Sequence, residues 1–229
     1  MKLSILILTH NRPKLFKRCL ESVLAYIPEG VEVIVNNDSN DIEEIPHPQV
    51  TYHYYKFDSL CEIYQHLLME AKGEYVYYLE DDDYLSAVFF HIPLEHDLTI
   101  GNYCPTYEPN NLLEYIAHYK DSVLEPADFL NVIDFEKLQL SQHIFKREHI
   151  LGFDFKKDNN VHNDIRLVLH AASKAKDIQT LGRVLFYQTK DGGDNISFPD
   201  TDPSVNTTQS LDFLKEHGLQ PPTSYRTRT

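Results

Sequence analysis

The sequence predicts an α/β fold: a single domain built on a mostly parallel central sheet with flanking helices. Three observations carry that expectation. Residues 3–8 are an Ile/Leu run of the kind found in a central strand covered on both faces. The segments up to residue 85 then follow the order β-α-β-β-α-β, whose crossovers favour parallel pairing. Two strand-like runs end directly in polar clusters, at residues 36–41 and 80–83. The C-terminal ends of strands are where open α/β sheets bind ligands.

Each element has a local reason. Residues 9–13 form a loop in which Asn11 is expected to cap a helix and Pro13 fits the first turn. Leu15, Cys19, Leu20, Val23 and Leu24 recur at helical spacing up to Tyr26. Pro28, Glu29 and Gly30 then stop that helix. A second strand covers residues 31–35, and a third covers 50–55 after Pro46 and Pro48. Ser59 or Asp58 caps a second helix with Leu60, Ile63, Tyr64, Leu67, Leu68 and Ala71 on its apolar face. Gly73 is its expected stop. Tyr75, Val76, Tyr77, Tyr78 and Leu79 are β-branched, aromatic or aliphatic, and make the fourth strand.

Beyond residue 85 the periodicity weakens. Residues 86–95 suggest a helix disrupted at Pro93. A strand is expected over 98–103, and short helices over 112–119 and 126–132. Residues 140–145 alternate as a strand, 161–172 are amphipathic, and 183–189 are a last strand. Residues 190–207 are rich in Gly, Asp, Asn, Ser, Thr and Pro and read as a loop, and 211–216 as a short helix.

Composition narrows the function. The 229 residues carry a formal charge of −14. Broad nucleic-acid footprints need basic patches, and the basic pieces here, Lys146–Arg147 and residues 225–229, are small. A phosphate-bearing ligand would need a metal or a few placed cations. No window approaches the ~18 apolar residues that span a bilayer, and the N-terminal run lacks a small-residue cleavage site. Three cysteines, Cys19, Cys61 and Cys104, are odd in number and without metal-like spacing. They read as reduced thiols in a cytoplasmic protein, so the sequons at Asn195 and Asn206 carry little weight.

Glu80, Asp81, Asp82 and Asp83 are four consecutive carboxylates behind an apolar strand. Desolvating such charges without a partner costs several kcal/mol each. They are therefore either a solvated turn or the surroundings of a cation, and hard ions such as Mg²⁺ or Mn²⁺ take oxygen ligands.

The first 90 residues resemble the family 2 glycosyltransferases of the GT-A fold. Ser4-Ile5-Leu6-Ile7-Leu8-Thr9-His10-Asn11-Arg12, with Leu20, Ser22 and Val23, looks like that family's opening motif. Val33-Ile34-Val35-Asn36-Asn37-Asp38-Ser39-Asn40-Asp41 looks like its second, and Ala71-Lys72-Gly73-Glu74-Tyr75 with Leu79-Glu80-Asp81-Asp82-Asp83 like its third. Phe153-Asp154 with Asn163-Asp164-Ile165-Arg166-Leu167 resembles the segment that carries the family's catalytic base.

The resemblance implies a GT-A-type, Rossmann-like sheet in which residues 1–90 bind the nucleotide sugar and 91–229 the acceptor. It implies a metal-dependent, inverting transfer of a sugar to a hydroxyl, with Mn²⁺ or Mg²⁺ as cofactor. Asp82 and Asp83 would hold the metal, although an alternating backbone would not aim three successive acids at one ion. Thr9, Asn11, Arg12, Asn37, Asp38 and Asp81 would contact the donor. Asp164 would deprotonate the acceptor. Each has a plainer alternative. Asp164 can be an ordinary N-terminal helix charge, with His162 as a rival base. Arg12 can be a surface residue, and Asn37 and Asp38 an Asx-stabilised turn. Lys146 and Arg147 suit the surface better than a phosphate. Four departures stand out: Asn37 and Glu80 where the family has Asp, Asn163 where it has an acid, and no His near Gln188-Thr189-Lys190. A UDP-sugar is the first expectation, with other bases opened by Asn37. The default acceptor is a surface polysaccharide or glycolipid precursor. Two alternatives are a phage-type DNA glycosyltransferase acting on hydroxymethylated pyrimidines, which the charge disfavours, and a non-catalytic nucleotide-sugar or metal-binding module.

Overall fold

The computed structural model describes residues 1–39, 42–56, 58–107, 112–113, 118–129, 131–133, 138–155 and 163–190. In chain order the elements are β1 (Leu3–Thr9), α1 (Pro13–Leu24), β2 (Val31–Asn37), β3 (Val50–His53), α2 (Leu60–Glu70), β4 (Tyr75–Glu80), β5 (Tyr84–Leu85), β6 (Leu98–Tyr107), β7 (Leu112–Leu113), β8 (Ser122–Leu124), α3 (Pro126–Phe129), β9 (His143–Lys146), α4 (Arg147–Ile150), α5 (Asn163–Lys174) and β10 (Ile178–Lys190).

One sheet runs through the molecule in the order β3-β2-β1-β4-β9-β6-β10-β5, with β7 on β6 and β8 on β10. The predicted β-α-β-β-α-β half is wholly parallel: β1 pairs with β2 and β4, and β2 with β3. The later half is mixed, because β9 is antiparallel to both β4 and β6 while β10 runs parallel to β6. No boundary interrupts the sheet, so the fold is a single domain.

Alternation along the strands sends side chains to two cores. Ile5, Ile7, Val33, Val35, Tyr77 and Leu79 face α1, through Phe16, Cys19, Leu20 and Val23. Leu6, Ile34, Val76 and Tyr78 face α2 and α5, through Leu67, Leu68, Ile165, Val168 and Leu169. Burying each aliphatic side chain of this size contributes ~1.5–3 kcal/mol. Tyr75, Tyr77 and Tyr78 are buried in the sheet, whereas Tyr54 and Tyr55 are exposed.

Several local expectations are corrected. Asn11 does not cap α1. It sits at φ 52°, and the N-cap is Arg12, with Pro13 at the first helical position. Ser59 does cap α2, accepting from Glu62 N–H. Gly73 does not end α2, which closes at Ala71. Glycine is required at 73 because a Cβ there would lie 2.5 Å from the Ser4 nitrogen and 2.7 Å from the Leu3 carbonyl carbon. Residues 86–95 hold only a short 3₁₀ turn at Phe89–His91. Leu112–Leu113 is a strand rather than part of a helix. Leu140–Gln142 is a 3₁₀ turn that leads into β9. The loop and helix expected beyond residue 190, and His162, lie outside the described residues.

Candidate active site

The register of the parallel strands assembles the site. Thr9 pairs with Asn37, and Leu8 lies between Asn36 and Glu80. The C-terminal ends of β1, β2 and β4 are therefore level. By alternation, Thr9 and Asn37 follow the face covered by α1, while Glu80 follows the face covered by α2 and α5.

After Glu80 the chain turns sharply, with Asp83 N–H donating to the Glu80 carbonyl at 3.1 Å. At this turn Asp82 and Asp83 come together with Glu80 while Asp81 departs, so the three successive aspartates do not converge on one point. Glu80, Asp82 and Asp83 each present a carboxylate oxygen, and these oxygens lie within 4.8 Å of one another. Asp81 points instead to Arg12. Arg12 Nη1 donates to Asp81 Oδ1 at 3.1 Å and to Asp82 Oδ2 at 3.0 Å. Its side chain is only 12% exposed, so Arg12 belongs to the site rather than to the surface.

A second arginine fixes the turn from behind. Arg18 Nη2 donates to the Asp82 carbonyl at 2.8 Å and to Thr189 Oγ1 at 2.5 Å, and its guanidinium lies 4.8 Å from the centre of the Tyr84 ring. Thr189, near the end of β10, donates through its backbone N–H to Asp83 Oδ1 at 3.1 Å and through its hydroxyl to the Asp82 carbonyl. Tyr84 stacks on Tyr187 of the same strand.

The electrostatics follow from crowding. Burial raises the Asp81 carboxyl to about 6, with Arg12 pulling the other way. The Thr9 hydroxyl also lies close enough to Asp81 to oppose the rise, although it is buried without a well-formed hydrogen bond. Asp83 is raised well above the usual carboxylate range by burial and then by Glu80 and Asp82. The Glu80 carboxyl is raised to about 8, by burial and then by Asp82, Asp164 and Asp81. Glu80 also reaches solvent, and water opposes part of that push.

Asp164 opens α5, and its Oδ1 accepts from Ile165 N–H at 2.7 Å. Burial raises its carboxyl to about 6 against that bond. Its charge is felt at Glu80 and at Tyr64, which places it beside the acidic edge on the α2/α5 side. Asn163, where the family has an acid, is structural: Nδ2 donates to Cys61 Sγ at 2.9 Å and Oδ1 accepts from Arg166 Nη1 at 2.9 Å.

The remaining predicted residues line the β1–β2 end of the edge. His10 Nδ1 is 2.5 Å from Asp38 Oδ1, and Asn11 Nδ2 is 2.7 Å from His10 Nε2. Asn37 Oδ1 accepts from Ser39 N–H and Ser39 Oγ. Lys146 is accounted for by Asp97 and Glu148, away from any phosphate role.

The acidic cluster fits a hard divalent ion. Its donors are all carboxylate oxygens, and among the described residues N–H donors reach Asp82 Oδ2 and Asp83 Oδ1. Sequence reasoning passed over Glu80 as a ligand, Arg18 and Thr189 as supports, and Ser39 as the partner of Asn37. Glu80 was legible in the acidic run. Thr189 was not, because it meets Asp82 across 107 positions.

Comparison with known proteins bears on the fold and on its first 90 residues. Residues 4–90 match the family model described as Glycosyl transferase family 2. No curated protein sequence matches the chain. Among solved structures, S. aureus TarS 1-349 in complex with UDP-GlcNAc superposes with a TM-score of 0.68 at 16% identity, over 95% of this chain and 65% of that one. The UDP complex of the same TarS piece gives 0.65 at 17% identity over 95% and 72%. Another structure of S. aureus TarS gives 0.65 at 17% over 98% and 45%. The chain thus spans 65% of the first of these and less than half of the longest, and identities this low speak to fold. Residues 4–90 thus resemble the family 2 glycosyltransferases, and the chain shares the fold of the TarS structures.

Proposed function

We propose that the chain transfers a sugar from a nucleotide-sugar donor to an acceptor hydroxyl with inversion, assisted by Mn²⁺ or Mg²⁺. One observation carries the proposal. A single sheet edge gathers three converging carboxylates and, beside them, a carboxylate with a raised pKa that no cation pairs among the described residues. UDP-GlcNAc and UDP in the similar structures support the donor class.

Glu80, Asp82 and Asp83 would hold the metal, which neutralises charge building on the diphosphate leaving group. Arg12 spans Asp81 and Asp82 and adds a guanidinium to the same edge, where it can meet phosphate oxygens. Arg18 and Thr189 keep the acidic turn in shape. Thr9, Asn11, Asn37 and Asp38 line the nucleoside end. Asp164 accepts the proton of the attacking hydroxyl. A pKa of about 6 leaves it ionised at neutral pH and more basic than an ordinary carboxylate.

Residues 91–229 supply the acceptor side, with a surface polysaccharide or glycolipid precursor as the default acceptor. Cys19, Cys61 and Cys104 are buried thiols, in keeping with a cytoplasmic setting. Among the described residues no helix is long and apolar enough to cross a membrane.

The test is Mn²⁺-dependent hydrolysis of nucleotide sugars by wild type and Asp164→Asn. Wild type turns the donor over. The variant binds it equally and is slower by ~10²–10⁴. A wild type that binds donor and never turns it over, with acceptors supplied, is a binding module instead.

A further inference from the structure

We infer that Tyr64 is a specificity-determining residue for the sugar: its phenol donates a hydrogen bond to a hydroxyl oxygen of the sugar being transferred. This rests on the nucleotide-sugar reading above and deepens it by naming a residue that reads the sugar.

Tyr64 lies on the face of α2 that covers the sheet and is partly exposed. Its ring meets the Tyr78 ring edge to face at 5.4 Å and the Phe155 ring at 6.2 Å. Its backbone carbonyl accepts from the Tyr78 hydroxyl at 3.2 Å. Ring and backbone are thus both fixed against β4. Tyr78 stands two residues before Glu80, and side chains two apart on a strand share a face. At ~3.3 Å per residue, Glu80 follows about 7 Å further along the face that Tyr64 covers. The start of α5 closes the other side. Asn163 Nδ2 donates to Cys61 Sγ at 2.9 Å, and Cys61 lies one helical turn before Tyr64. Asp164, the next residue, is therefore held beside α2 as well. Burial raises the Tyr64 phenol, and the charges of Glu80 and then Asp164 add to the rise, which sets the ring within reach of both.

The hydroxyl has no structural task to explain it. Tyr77 donates to the Ser141 carbonyl at 2.6 Å and Tyr78 to Tyr64, whereas among the described residues the Tyr64 hydroxyl makes no hydrogen bond. Tyrosines packed in a core usually find such a partner. In a displacement the sugar lies between the leaving diphosphate and the attacking hydroxyl. With metal at Glu80, Asp82 and Asp83 and the base at Asp164, that gap is the one Tyr64 borders. Glu80 and Asp164 only accept when ionised, while a phenol donates. A sugar hydroxyl does both, so it can donate to a carboxylate and accept from Tyr64.

Calorimetry with Mn²⁺ tests this by comparing UDP-GlcNAc with UDP, and GDP-mannose with GDP, for wild type and Tyr64→Phe. The substitution keeps the ring and its contacts with Tyr78 and Phe155 and removes the hydroxyl. For a pair that wild type binds, Tyr64→Phe should hold the free diphosphate as wild type does and the sugar nucleotide about tenfold more weakly. In a second arm the sugar hydroxyls are removed one at a time. One of these donors should bind wild type more weakly by a similar factor, and pairing it with Tyr64→Phe should cost no more. The wild-type half of that arm stands even if Tyr64→Phe fails to fold. An equal loss for diphosphate and sugar nucleotide, no loss for either, or no single hydroxyl that matters to wild type overturns the inference and leaves the transferase reading intact. Wild type that binds neither pair overturns both.

Discussion

In the proposed mechanism Asp164 combines a role in activity with a cost in stability, and the two run in opposite directions with pH. Its folded pKa of about 6 lies above the ordinary aspartate value of about 3.9. The folded state therefore binds its proton more tightly than the unfolded chain does. That contribution is fully present below about 3.9 and is lost as pH rises through about 6. Base catalysis needs the ionised form, so kcat should rise with pH through a midpoint near 6. An acid limb near 4 would assign the base to an unperturbed carboxylate elsewhere. Asp164→Asn keeps an oxygen for Ile165 N–H and never ionises. Its unfolding temperature relative to wild type should improve between pH 4.5 and 7.5, and no change across that range would contradict the raised pKa.

At the scale of elements, the acidic turn is held by contacts from α1 and β10. Arg18 is the common member, bonding the Asp82 carbonyl and Thr189 together. Hydrogen bonds made by charged groups are worth ~1.5–3 kcal/mol, so Arg18→Ala should lose about that much stability in urea unfolding. Mn²⁺ affinity should fall with it, because Asp82 and Asp83 lose their shared support. Retained Mn²⁺ affinity would make Arg18 a purely structural residue. Between α2 and β4, Gly73 lets the chain pass against the backbone of β1. Gly73→Ala forces two backbones apart and should cost ~1–3 kcal/mol in the same unfolding measurement.

At the scale of the molecule, legibility divided at about residue 90. The parallel half was readable because each strand and helix carries its own period, and polar residues stop each strand at the same level, as Thr9, Asn37 and Glu80 show. The mixed half was not, because its order depends on distant partners. β9 finds β4, and β10 finds β6 and the acidic turn, through contacts that leave no local pattern. Phe186, Leu185 and Gly101 pack there without any sequence period to announce it. Asp164 was legible as a residue type at a helix start, and its nearness to Glu80 was not.

The charge of −14 also acts at this scale. It predicts no mobility shift of duplex DNA even at low salt, where electrostatic binding is strongest. A salt-sensitive shift would bring a nucleic-acid acceptor back into consideration. The most direct test of the metal–diphosphate site is calorimetry of nucleotide sugars with and without Mn²⁺, for wild type and Asp82→Ala. Wild type should bind donor only with metal, and Asp82→Ala should bind neither while unfolding at nearly the wild-type temperature. Normal binding of donor and Mn²⁺ by Asp82→Ala would contradict the assignment of the β4 edge as that site.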